Sequence, residues 1–144
     1  MNEKLMDIMK LARIELVIIP IFIFFKYIRP GVLKSKAPEF FKITLLSLPN
    51  FFEAIIGVLT LTGIILLIND RLKKHQIKPK ILYIIAVALA AAYVILQELN
   101  IINIRTNTTF DSNDIIFSIL GLIFGYWIIQ YIKPQFPSTK MNTQ

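Results

Sequence analysis

Two stretches in the C-terminal half of the chain, residues 81–97 and 115–132, contain no Asp, Glu, Lys or Arg. A helix rises about 1.5 Å per residue and the hydrocarbon core of a bilayer is about 30 Å thick, so each stretch is about long enough to cross it. Between them lies a polar segment, residues 98–114, which would sit at one membrane face. A soluble domain is typically about 45–50% apolar and about 25% charged. This chain of 144 residues is 56% hydrophobic and 17% charged, and most of the charge lies outside the long apolar runs. Burial in lipid or against other spans is the economical way to hide so much apolar surface. The expected fold is all-α, an integral membrane four-helix bundle forming a single domain over residues 1–144.

The four spans are expected at about 11–28, 50–68, 80–97 and 114–132. The first follows an amphipathic lead-in, in which Leu5, Ile8, Met9, Ala12 and Leu16 recur at helical spacing. Its uncharged core is short, Arg13 and Lys26 snorkel from its two ends, Pro20 lies inside it, and Arg29-Pro30-Gly31 ends it. Residues 34–42 read as a connecting loop. Pro49 reads as the first turn of the second span, where a missing N–H costs little. No small-x-small cleavage site follows the first apolar run, so the first span is expected to stay in the mature chain.

Lys and Arg gather on cytoplasmic segments. With both termini cytoplasmic, the inner segments carry ten of the 16 basic residues and the outer segments six. The basic segment 69–80 and the nearly base-free segment 98–113 favour this orientation; Lys26, Arg29, Lys34, Lys36 and Lys42 oppose it. The net charge of +7 is then explained by topology and by anionic membrane lipids rather than by nucleic acid. The chain has no Cys, so disulfide, thiolate and zinc–thiolate chemistry are excluded. His75 lies in a basic linker without ligand-spaced partners. No phosphate loop, HExxH motif, dinucleotide fingerprint or Ser-His-Asp arrangement is present. No catalytic set, metal site or cofactor is therefore expected, and an intramembrane enzyme ranks last among the readings.

The expected polar site lies at the outer rim, with Glu53, Glu98, Arg105, Asp111, Asp114 and Ser118 as candidate ligand-binding residues. Glu53 has apolar neighbours on both sides, and a carboxylate at membrane depth must be paired, protonated, hydrated or in contact with headgroups. Arg105 reads either as a clasp to Glu98 or Asp114, or as a guanidinium fork for a phosphate or carboxylate. Asp111 also fits a helix N-cap. Asp114, Ser118, Gly121 and Gly125 fall on one helical stripe. Gly121 and Gly125 form GxxxG, which permits close helix approach. The alanine-rich third span is its favoured partner, and a homo-oligomer through the two glycines is the alternative.

Over residues 97–125 the chain resembles the VanZ-like family of small bacterial membrane proteins, named after a teicoplanin-resistance determinant. Glu98-Leu99-Asn100, Arg105, Asp114, Ser118, Gly121 and Gly125 occupy places comparable to that family's polar motif. Asn100 stands where Gln is usual and Ser118 where Asn is usual, and the interval from Arg to Asp is longer unless Asp111 is the counterpart. The resemblance implies a multi-pass protein of the bacterial plasma membrane, with an envelope-linked role in glycopeptide-antibiotic tolerance. The expected function is a binding or accessory one, recognising a lipid headgroup, an envelope intermediate or an antibiotic. The alternative is an oligomeric small transporter or channel subunit for protons, metal ions or organic acids.

Overall fold

The computed structural model describes the backbone of residues 3–72, 77–98 and 112–134, with side chains throughout except at 3–7 and 98. These residues form four helices: α1 (Glu3–Lys34), α2 (Glu39–Arg71), α3 (Pro79–Glu98) and α4 (Ser112–Ile132). No strand occurs among them. Each expected span lies inside one of these helices. α1 and α2 run further than the sequence reading allowed. α1 continues through Pro20 and Pro30 to Lys34, and α2 begins at Glu39, so that Pro49 lies well inside it. A proline removes one N–H from the helical ladder; helices of membrane proteins absorb this because neighbouring groups re-satisfy the freed carbonyl. The expected loop at 34–42 shrinks to a turn over residues 35–38. There the Ser35 hydroxyl donates to the Val32 carbonyl at 2.8 Å.

The register of the helices follows from a few facing pairs. Ser47 and Asp114 are 67 positions apart, and so are the facing pairs Ala54 with Gly121 and Val58 with Gly125. A constant offset means that α2 and α4 run parallel. Glu15 faces Thr60 and Phe25 stacks on Phe52. In these pairs the numbers rise in one helix as they fall in the other, so α1 is antiparallel to α2. Gly57 faces Ala90 of α3, and Tyr83 of α3 meets Pro134 after α4. α2 is thus the central helix, packed on each of the other three.

This register aligns the apolar stretches at one depth. The charge-free stretch 115–132 of α4 lies beside about 48–65 of α2, which lies beside about 11–28 of α1 and the part of α3 from about 82 to its end at Glu98. The core is built at that depth from Ala54, Ile55, Val58, Leu59 and Leu66 of α2, with Leu11, Ala90, Leu122 and Ile129 from the surrounding helices. The outer faces are also apolar. Leu16 is 71% exposed, Ile84 59% and Ile123 61%. A water-soluble bundle would place polar side chains there. α2, α3 and α4 are each long and apolar enough to cross a membrane, which makes this a multi-pass membrane protein.

Candidate functional site

α4 starts at Ser112, which puts Asp114 in its first turn, where the positive end of the helix favours a carboxylate. The turns of α4 that follow bring Ser118, Gly121, Leu122, Gly125 and Ile129 onto one buried stripe. The sequence reading gave this stripe to α3. The structure gives it to α2. A Cβ added at Gly121 would lie 2.3 Å from the Phe51 carbonyl oxygen and 2.9 Å from the Ala54 Cβ. One added at Gly125 would lie 3.0 Å from the Val58 Cβ. The alanines of α3 do face a glycine, but it is Gly57 of α2, at 4.0 Å from Ala90. The physical reason is register: Ser47, Phe51, Ala54 and Val58 repeat the spacing of Asp114, Ser118, Gly121 and Gly125, so two matching stripes close on each other in parallel.

At the top of this seam the Ser47 hydroxyl donates to Asp114 Oδ1 at 2.8 Å. Ser47 is 1% exposed and Ser118, one turn below Asp114, is 2% exposed. Asp114 itself is half-buried. A carboxylate offers about four acceptor positions, and the Ser47 bond takes one. The remainder can receive a cation or a hydrogen-bond donor arriving at the rim. Ser47 with a carboxylate alone is not an activated nucleophile, because a carboxylate is a weak base toward a hydroxyl and the arrangement holds no imidazole. No grouping of His, Cys, Asp and Glu that would hold a metal occurs among the described residues.

Glu53 is half-buried but lies on another face of α2. It falls one turn before Gly57, on the stripe that faces α3, about 120° around the helix from Ser47 at about 100° per residue. It is also five residues inside the α2 stretch 48–65, about 7–8 Å below its edge at about 1.5 Å per residue. Glu53 and Asp114 therefore do not share one side of the seam. α3 ends at Glu98, on the same membrane side as Asp114. Arg105, Asp111 and the side chain of Glu98 lie outside the described residues, as does His75.

Three polar contacts were not foreseen. Ser47 precedes the span expected at 50–68 but lies inside α2; its sequence signal is the repeat of the stripe spacing. The Thr60 hydroxyl donates to Glu15 Oε1 at 2.9 Å, tying α1 to α2 near the opposite end of the bundle. The Tyr83 hydroxyl donates to the buried Pro134 carbonyl at 2.6 Å and locks α3 to the end of α4. Neither has a periodic sequence signature. Among the described residues no buried side-chain nitrogen or oxygen lacks a hydrogen-bond partner. A scan against protein-family models and searches of curated proteins and of solved structures found no match to this chain.

Proposed function

We propose that this chain is a four-span protein of the bacterial plasma membrane, with both termini cytoplasmic and a VanZ-like binding or accessory role at the cell envelope. Asp114 is the centre of its site, held by Ser47 and backed by Ser118. Glu98, Arg105 and Asp111 complete the polar rim. The observation that carries this reading is the buried Ser47–Asp114 hydrogen bond at the mouth of a glycine-packed seam. Such a bond costs side-chain freedom and fixes a carboxylate at the first turn of α4. The fourth span is supported by register. Residues 11–28 of α1 lie at the depth of the charge-free stretch of α4, and Arg13 and Lys26, near the two ends of that stretch, can reach opposite interfaces with their long stems.

The test is teicoplanin susceptibility in a bacterium that expresses the chain. Wild-type protein raises the inhibitory concentration, and Asp114→Asn and Arg105→Ala abolish the rise at unchanged membrane abundance. Variants that protect as well as the wild type remove Asp114 and Arg105 from the function. Orientation is read separately with Thr108→Cys, which reacts with an impermeant thiol reagent in intact cells; labelling only after lysis reverses the topology.

Glu53 favours an oligomeric transporter or channel as the second reading. Its half-buried carboxylate at membrane depth is the kind of group that binds a proton or cation. Four helices leave little room for a pathway within one copy, so such a pathway runs between copies. Purified protein in liposomes then shows proton, metal-ion or organic-acid flux that Glu53→Gln abolishes; silent liposomes exclude this reading.

A further inference from the structure

We propose that the tip of the α1–α2 hairpin is a binding site for one anionic phospholipid of the surrounding leaflet. It is separate from the rim site of Asp114 and does not depend on what that site recognises. An open groove of about 580 Å³ lies in the hairpin, lined by Tyr27, Ile28, Gly31, Val32 and Phe41, with Ser35 at the turn. Its walls are apolar, and Lys34, Lys36 and Lys42 are the sequence neighbours of its lining residues Ser35, Ala37 and Phe41. Residues 26–42 contain Lys26, Arg29, Lys34, Lys36 and Lys42 against the single acid Glu39.

A ligand matching this surface needs an apolar part to fill the groove and an anion for the cations around it. A free anion leaves the groove to water. An uncharged lipid leaves the cations unmatched. A phospholipid with a net negative headgroup satisfies both, and cations near a membrane surface attract such lipids at about 1 kcal/mol each. The position fits. Tyr27 and Ile28 end the α1 stretch that lies at the depth of the charge-free part of α4, so an acyl chain passes from the groove directly into the bilayer. Lys34 and Lys36 lie further out, at headgroup level and beyond, and both are exposed. Tyr27 and Phe40 are each 83% exposed, and aromatic rings favour the membrane–water interface.

The experiment uses the full-length chain in neutral detergent, titrated with phosphatidylglycerol or phosphatidylcholine and read by native mass spectrometry, with helicity checked by circular dichroism. Wild type retains one phosphatidylglycerol in preference to phosphatidylcholine. Lys34→Gln with Lys36→Gln weakens that binding about thirtyfold, at about fivefold per cation. Lys78→Gln with Lys80→Gln removes the same charge from the opposite face and leaves binding unchanged. Gly31→Leu alters no charge; a Cβ there meets nothing within 4 Å, helicity checks the fold, and the side chain intrudes on the groove and abolishes the preference. The proposal is overturned by a wild type without preference, by an equal loss in the Lys78 and Lys80 variant, by unchanged binding in Gly31→Leu, or by displacement of the lipid with millimolar inorganic phosphate.

Discussion

Substituting the five glycines by alanine one at a time would rank the helix contacts by closeness, and Gly121→Ala is the severe case. Its new methyl would lie 2.3 Å from the Phe51 carbonyl oxygen, whereas ordinary contact begins at 3.4 Å. α4 must therefore retreat from α2 by about 1 Å, since backbone cannot rotate aside as a side chain does. Overpacking of this kind costs about 1–3 kcal/mol, and a backbone clash belongs at the upper end. Replacing glycine inside a helix returns roughly 0.5–1 kcal/mol. The net loss is then about 2 kcal/mol. Gly63→Ala meets nothing within 4 Å and should gain the propensity term alone, which sets the two variants about 3 kcal/mol apart. Gly125→Ala presses on the Val58 side chain at 3.0 Å, which can yield, and falls between them. The retreat also reaches the first turn of α4, where it would stretch the 2.8 Å Ser47–Asp114 bond past the hydrogen-bonding range of about 3.2 Å. Gly121→Ala and Ser47→Ala should then be less than additive in a double-mutant cycle. The assay is SDS unfolding in mixed micelles followed by helicity. Equal stability of Gly121→Ala and Gly63→Ala would refute the close α2–α4 seam, and strict additivity would refute the coupling.

Two further outcomes follow from single hydrogen bonds. Ser47→Ala removes the donor to a half-buried carboxylate and should cost about 1 kcal/mol in the same assay, toward the low end for a charged partner because Asp114 keeps some solvent; no change would mean that the bond contributes nothing to the seam. Tyr83→Phe leaves a buried carbonyl at Pro134 short of a donor and should cost about 1–3 kcal/mol, with faster proteolysis after residue 134 as an independent readout, and wild-type behaviour in both would show that the carbonyl finds another donor.

The helical class and the depth of the apolar stretches were legible because lipid imposes a length and a composition that survive in sequence. Residues 81–97 and 115–132 lie inside α3 and α4. The hairpin was not legible. Pro30 and Pro49 read as helix ends, yet both lie within helices, because proline preference is local and the packing of α1 on α2 is not. Likewise the glycine stripe announced a close approach without naming its partner. Asp114 and Ser118 were correctly placed on one inward face, but Glu53, close to Ser47 in sequence, belongs to a different face of α2. A phase difference of that size is invisible until the register of α2 is fixed by its neighbours.

The early start of α2 is the feature from which the rest follows. Had the helix begun at Pro49, Ser47 would lie in a loop and could not hold Asp114 at a fixed level. Because α2 begins at Glu39, Ser47 is a buried helical position and the carboxylate is positioned by two rigid elements rather than by the segment that joins α3 to α4. The same early start places Phe41 across from Tyr27 and Gly31 of α1 and so builds the groove. Pro49 lies two residues below Ser47, inside the seam. It donates no N–H to the Leu45 carbonyl, which weakens the helix at the top of the seam. The part of α2 below Pro49 is fixed by the glycines of α4. The part above it is held by Ser47–Asp114 and by the short turn at residues 35–38. Loss of the Ser47 bond should therefore be felt in the hairpin as well as at the rim: Ser47→Ala should weaken phosphatidylglycerol binding, with every groove residue and cation in place. Unchanged lipid binding in that variant would show that the hairpin stands without the seam below it.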